Sequence, residues 1–373
     1  MTAAPGLPAN PVDGLIDAGY LAASEAACRY VRWQSAQVLA QCGLADVERG
    51  PLRQVGSRLG VAPELDHALA WLLAEAAGLG AVEVASSPAG TALFAPGPAL
   101  SPELGERIAG EVGRQAGRVG SSLPLLDHVA GCYPDVLQGR RSGHLALLKG
   151  SALRLWESYF SAANPLYDVH NQLAWTGLRQ ALERLGRPAR VLELGVGTGG
   201  GTAALLAGLA GERSPRLASL TLSDVSPSFA VNTAQRLGAQ APPGIQLQAR
   251  RLDFSQPLPA QGVEPGSVDV LIGVNAVHNG GDLGQTLAAL RGALSADGWL
   301  VISESLCGPG CRVHQELVFN LLPPPRHGAA AGSRFFSAAA WRAALRDGRW
   351  RAEIHVNGEG PELALLALAQ PLP

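Results

Sequence analysis

Lysine is almost missing from this chain: Lys149 is the only one, and every other member of its 29 basic residues is arginine. Charge of either sign is sparse, at 16% of residues with a net charge of −2, which argues against a general affinity for nucleic acid or an anionic membrane. The five cysteines (Cys28, Cys42, Cys132, Cys307, Cys311) are odd in number and scattered, so they do not form a disulfide framework. No basic-then-apolar leader opens the chain, and no apolar run is long enough to cross a bilayer. A cytoplasmic protein without a membrane partner is expected. What is abundant is small and apolar: 47% hydrophobic residues and 46 glycines exclude a disordered chain. The length of 373 residues allows two cores. Arginine in place of lysine, with much glycine and alanine, points to a GC-rich bacterial genome.

Residues 1–19, rich in Pro, Gly and Ala, read as a loose arm. Leu21 to Gln41 has Cys28, Val31, Val38 and Leu39 on one helical face. Shorter helices follow at Leu52 to Leu59 and Glu64 to Ala77, and then a small β-wing at Val82 to Val84 and Ala92 to Phe94. Residues 20–101 therefore have a winged-helix layout. DNA binding requires Lys or Arg against phosphates, and none occurs between Arg58 and Arg107. Residues 102–186 read as a mainly helical connector that caps the catalytic part. From Ala189 strands alternate with helices, the pattern of a parallel α/β sheet. Strands are expected at 190–194, 218–223, 245–249, 268–274, 297–303, 352–356 and 363–369, the last two forming a hairpin around Asn357-Gly-Glu-Gly. The fold expected for 187–373 is Rossmann-like α/β, mostly parallel, with an antiparallel closing hairpin.

The chemistry centres on Val191-Leu-Glu-Leu-Gly-Val-Gly-Thr-Gly-Gly-Gly201, an apolar strand running into a glycine cluster that opens a helix. Gly195, Gly197 and Gly199 are spaced more tightly than in the dinucleotide fingerprint, with Glu193 just before them. This E-x-G-x-G-x-G form resembles the first motif of class I S-adenosylmethionine methyltransferases, and that resemblance makes S-adenosylmethionine the expected cofactor. Asp224, at the end of the second strand, suits the ribose hydroxyls; capping the helix after Ser226-Pro227 is an alternative that can coexist. The resemblance also assigns Asp253 to the adenine amino group and Phe254 to the ring, and adds Asn275 to the cofactor set. It likens the N-terminal layout to the dimerisation domain of small-molecule methyltransferases, hence an expected homodimer.

His278 ends the fourth strand and Glu304 the fifth, so neighbouring strands would bring an imidazole and a carboxylate together, as a general base requires. Asp224-Val-Ser-Pro-Ser-Phe, Leu252-Asp-Phe, Asn275-Ala-Val-His and, upstream, Tyr167-Asp-Val-His-Asn-Gln are similar to the C-methyltransferase domains of modular polyketide synthases. The resemblance implies that His278 deprotonates the α-carbon of a β-ketoacyl thioester or 2-keto acid, small or carrier-bound, while Glu304 orients it. Glu304→Gln is expected to cost less than His278→Ala, because an amide can keep a hydrogen bond. Trp156, Tyr159, Tyr167 and Asn171 are the expected acceptor wall, whose aromatic members could face a sulfonium cation. Cys307, Cys311 and His314, followed by Pro323-Pro-Pro-Arg-His327, raise a metal site; a hinged lid is the preferred reading, with no metal. Open alternatives are O-methylation of a phenol or enol, cyclisation of the cofactor to azetidine-2-carboxylate with release of methylthioadenosine, and a cofactor-sensing winged-helix regulator.

Overall fold

The computed structural model describes residues 10–212, 216–307, 314–323 and 333–372. The chain is already anchored at Asn10, where a loose arm was expected. Val12 and Ile16 are buried, Asn10 donates to the Val356 carbonyl at 2.7 Å, and Asp13 accepts from the Gly358 amide at 2.7 Å. Two apolar anchors and two polar ties override the Pro/Gly composition. Asp17 then caps helix α1 (Ala18–Gln41) by accepting from the Tyr20 amide.

The N-terminal elements are α1, strand β1 (Gly50–Pro51), α2 (Leu52–Arg58), α3 (Asp66–Ala77) and the hairpin β2 (Val82–Ser86) and β3 (Ala92–Pro96). The small sheet has the order β1-β3-β2, so the hairpin gains a third strand. A helical run follows: α4 (Pro102–Arg114), α5 (Ala116–Val119), α6 (Leu123–Leu137), α7 (Gly143–Leu148), α8 (Ser151–Tyr159) and α9 (Pro165–Leu185). The two halves of α1 serve different cores. Val31, Val38 and Leu39 pack with Leu69, Leu72 and Tyr133 of α3 and α6, whereas Tyr20, Ala23 and Ala27 join Leu166 and Leu173 of α9. Among the described residues the exposed large hydrophobics are Val84, Leu145, Val225, Val231 and Leu372, none of them on α1 or α3. The apolar faces of α1 and α3 are thus covered within the chain.

The remaining elements are β4 (Ala189–Leu194), α10 (Gly200–Ala210), β5 (Leu217–Asp224), α11 (Pro227–Leu237), β6 (Leu247–Arg251), β7 (Val268–Val274), α12 (Leu283–Ala293), β8 (Leu294–Ser305), α13 (Glu316–Phe319), α14 (Ala338–Asp347), β9 (Trp350–Val356) and β10 (Ala364–Pro371). They form a seven-stranded sheet in the order β6-β5-β4-β7-β8-β10-β9, parallel through β8 and closed by antiparallel β10 and β9. The expected class I architecture is present. Side chains alternate between two layers: Val301, Leu366 and Leu368 meet α9, while Leu300, Ile302 and Leu365 meet α12 and α14. The third parallel strand starts two residues later than expected, because Pro242-Pro-Gly makes a turn in which the Ile245 amide bonds the Pro242 carbonyl. Strand order reverses between β4 and β7, and ligands bind such sheets outside the carboxyl ends at that switch point.

Candidate active site

The glycine turn after β4 opens onto a cleft at this switch point. Gly197 has φ +50°, and a Cβ there would meet nothing within 4 Å, so the turn faces open space. At Gly200 the opposite holds: a Cβ would lie 1.9 Å from the Phe160 carbonyl, so the end of α8 rests directly on the start of α10. Asp224 closes the turn, accepting from the Gly197 amide through Oδ2 and from the Ser226 amide through Oδ1, both at 2.9 Å. It therefore makes a local turn bond to Ser226, the N-cap of α11, without capping that helix, and still presents lone pairs to the cleft. Burial raises its carboxyl above the ordinary value, although the two amides pull the other way. Glu193 is buried beneath the turn, accepts from the Thr202 hydroxyl at 2.6 Å, and is pushed by burial to about 7.

Of the expected residues, Glu193, Gly195, Gly197, Asp224, Asn275, Trp156 and Tyr167 line this cleft, joined by Phe160, Phe229, Asn279 and Phe319. Others do not. Gly199 caps α10 with φ +82° and packs toward Thr233. Asp253 turns back on its own loop, its Oδ1 bonding the Ser255 amide and hydroxyl. Phe254 packs against the core beneath, near Gly280. Tyr159 is fully buried with Phe160 and Tyr167, and Asn171 is tied behind the wall to the Phe160 carbonyl and Asp168. The helical period of α8 and α9 turns these two inward. Asn275 adopts φ +47° and clasps the next strand, its amide donating to Ser303 O and its Oδ1 accepting from Ser305 N.

His278 and Glu304 meet as expected. β7 and β8 are paired neighbours, with Val274 opposite Ser303, and a short 3₁₀ turn (Val277–Gly280) carries His278 inward. His278 Nδ1 lies 2.6 Å from Glu304 Oε2, while Glu304 Oε1 accepts from the Val277 amide at 2.8 Å and the His278 amide at 3.3 Å. The pair is 4% and 0% exposed, so it is buried beside the cleft, whose wall includes the adjacent Asn279. With Nδ1–H held by the carboxylate, the lone pair lies on Nε2. This is the arrangement of an oriented base.

Sequence reasoning missed a group around this pair. Ser305, one residue beyond Glu304, contacts His170 Nε2 at 3.0 Å and donates to Gln315 Oε1 at 3.2 Å. His170 follows Tyr167 by three positions on α9, and that helical spacing was the available signal. Residues 314–323, which put Phe319 into the cleft wall, are clamped by the N-terminal helices: Trp71 Nε1 donates to Glu316 Oε2 (3.0 Å), the Tyr133 hydroxyl to Leu317 O (2.7 Å) and His67 Nε2 to Leu322 O (3.0 Å). No local pattern announces contacts across some 180 to 255 positions. Cys311 and His327 of the candidate metal and lid segment lie outside the described residues.

Residues 192–300 match the methyltransferase-domain family. The polyketide synthase ThaQ of Burkholderia thailandensis is 34% identical over 186 residues, covering 48% of this chain and 9% of that protein. This chain thus spans less than a tenth of the polyketide synthase it matches. The crystal structure of the DszA carbon methyltransferase superposes with a TM-score of 0.80 at 23% identity, covering 98% of this chain and 94% of that one. That of the trans-methyltransferase CalH in complex with SAH gives 0.67 at 23% identity, covering 94% and 92%. At these identities the structural likeness is one of fold. The chain carries a methyltransferase domain on a class I fold.

Proposed function

We propose that this protein is an S-adenosylmethionine-dependent C-methyltransferase that alkylates the α-carbon of an activated carbonyl compound, a β-ketoacyl thioester being the first choice. The observation that carries this reading is the buried His278–Glu304 pair beside the glycine-turn cleft. The residues present fit the cofactor. Gly197 leaves space against the turn, Asp224 accepts only backbone amides and has lone pairs left for ribose hydroxyls, and the buried acid Glu193 suits a cationic ligand. Trp156, Phe160, Tyr167 and Phe319 offer aromatic faces to a sulfonium. When bound, S-adenosylmethionine supplies an electrophilic methyl group. The solved relative CalH holds SAH, and a carbon methyltransferase shares the fold over nearly the whole chain.

His278 takes the acceptor's α-proton on Nε2. The C–H electron pair stays with carbon, delocalised onto the carbonyl oxygen as an enolate. Glu304 holds Nδ1–H and stabilises the imidazolium, which afterwards loses its proton to solvent. Such general-base help is worth about 10²–10⁴-fold.

The decisive experiment incubates the purified chain with S-adenosylmethionine and a β-ketoacyl thioester, and identifies both products by mass spectrometry. The expected outcome is S-adenosylhomocysteine and an acceptor methylated at the α-carbon. Methylthioadenosine formed without an acceptor would replace this reading with cofactor cyclisation. A methyl group on oxygen would replace it with O-methylation.

A further inference from the structure

Besides Asn171 Oδ1, Asn275 Nδ2 and Ser303 Oγ, three buried polar groups around the base have no hydrogen-bond partner among the described residues: the Tyr159 hydroxyl, His170 Nδ1 and His314 Nε2. They come from α8, α9 and the segment after residue 313, yet they are contiguous. The Tyr159 ring centre lies 6.2 Å from that of His314 and 6.3 Å from that of Tyr167, which is 5.7 Å from His170. His170 in turn contacts Ser305, the residue after Glu304. Buried polar groups in folded proteins are nearly always paired, so several orphans in one place point to a polar ligand. The Trp71, Tyr133 and His67 clamp holds the His314 segment here, so the orphans are not an accident of a loose loop.

The chemistry of each group narrows the ligand. Burial, reinforced by the nearby His314 and His278, drives His170 down to about 3, and burial drives His314 down to about 4. Both rings are therefore neutral, each with one N–H and one lone pair. Ser305 donates to Gln315, so its oxygen accepts from His170 Nε2–H, and His170 Nδ1 is a bare lone pair. The unpartnered groups able to donate are the Asn275 amide in the cleft wall, His314 in its Nε2–H tautomer, and Tyr159, whose phenol burial keeps protonated. Neutral donors can polarise a carbonyl without repelling the imidazolium that His278 becomes.

We propose that the acceptor's carbonyl reaches past the cleft wall into this buried group, where His314, seconded by the Tyr159 hydroxyl, donates a hydrogen bond to the oxygen of the ketone or thioester whose α-proton His278 removes. The inference rests on the reading of His278 as the base. During the step the α-carbon's C–H bond breaks and its proton passes to His278. The negative charge settles on the oxygen, and the His314 N–H and Tyr159 O–H bonds stay intact while their hydrogen bonds strengthen.

The test uses the full chain and 3-oxobutanoyl-N-acetylcysteamine as the probe. Two rates are read: methyl transfer with S-adenosylmethionine, and α-proton exchange for deuterium without it, at a pD where buffer exchange is slow. Removing one such donor typically costs about 10²–10³-fold, so His314→Phe should slow both by about that factor. His314→Gln, which keeps an N–H, should stay within about tenfold of wild type by the same reasoning. Tyr159→Phe should lose less but in the same direction, and circular dichroism checks that each variant folds. Wild-type rates in both His314→Phe and Tyr159→Phe overturn the proposal, as does His314→Gln no faster than His314→Phe. If wild-type exchange is no faster than that of His278→Ala, the base reading falls and takes this inference with it.

Discussion

Glu304→Gln is the substitution at which residue similarity and geometry disagree. By similarity it is mild, since the amide keeps its shape and one acceptor. In the structure both carboxylate oxygens face donors: Oε1 takes the Val277 and His278 amides, and Oε2 takes His278 Nδ1. A glutamine has only one oxygen to offer. Two backbone N–H groups cannot change, whereas the imidazole can move its proton, so the amide oxygen goes to the backbone and its NH₂ faces Nδ1. His278 must then present a lone pair at Nδ1 and carry its proton on Nε2, where it cannot accept another. The corresponding Asp→Asn change in a serine-protease triad lowers turnover by about 10⁴ through the wrong tautomer. We therefore expect Glu304→Gln to cost about 10³–10⁴-fold, roughly 4–5.5 kcal/mol in barrier, comparable to His278→Ala rather than milder. The assay is steady-state methyl transfer to the thioester probe, with cofactor affinity followed by calorimetry. That affinity should hold within about threefold, well under 1 kcal/mol, because the pair faces the acceptor. Turnover of Glu304→Gln within about tenfold of wild type would refute the tautomer reasoning and, with it, the assignment of Nε2 as the base.

Gly197→Val should weaken cofactor binding at least about tenfold by calorimetry, since a branched side chain would fill open cleft at φ +50°; an unchanged affinity removes the turn from the cofactor site. Glu193, pushed by burial to about 7, should ionise as a cationic cofactor binds, so affinity should be full above that pH and fall by up to about tenfold per unit below it. Glu193→Gln should flatten that profile, and a wild-type profile flat from pH 5.5 to about 8 would exclude the coupling. At the far end of the sheet, buried Asp269 accepts from the Arg190 amide and guanidinium, Arg187 and Ser295, and burial is outweighed so that its carboxyl lies well below the usual range. Because the folded-state value is depressed, its stabilisation is present above the unfolded carboxyl's pKa and is lost as pH falls. Asp269→Ala should thus cost about 1–3 kcal/mol in denaturant melts at pH 7, less at pH 3, with turnover per folded molecule unchanged. Trp71→Phe should raise the acceptor KM and weaken cofactor binding, each up to several-fold, about 1 kcal/mol for one lost hydrogen bond, because the clamped segment carries Phe319 of the cleft as well as His314; unchanged values for both ligands would exclude a role for the clamp in shaping the site.

The strand–glycine–helix run, the alternation after Ala189 and the strand-end His278 and Glu304 were legible because each depends on local spacing. Period-two burial marks strands, an apolar strand running into glycines marks the turn, and parallel strands deliver their last residues to one rim. Local spacing also explains where the reading stopped. Whether Tyr159 or Tyr167 faces the cleft depends on the rotation of α8 and α9 against the sheet, which their apolar pattern does not specify, because both tyrosines fall on the buried faces of their helices. Asp253 could have reached a ligand or folded back on Ser255, and only the loop geometry chose. The apolar stripes of α1 and α3 demanded cover without naming it, and the tertiary structure supplied α6, α9 and residues 317–321 of the same chain. The convergence of Trp71, Tyr133, His170, Ser305 and His314 was likewise decided by tertiary structure, because hydrogen bonds between buried side chains far apart in sequence leave no periodic trace along the chain.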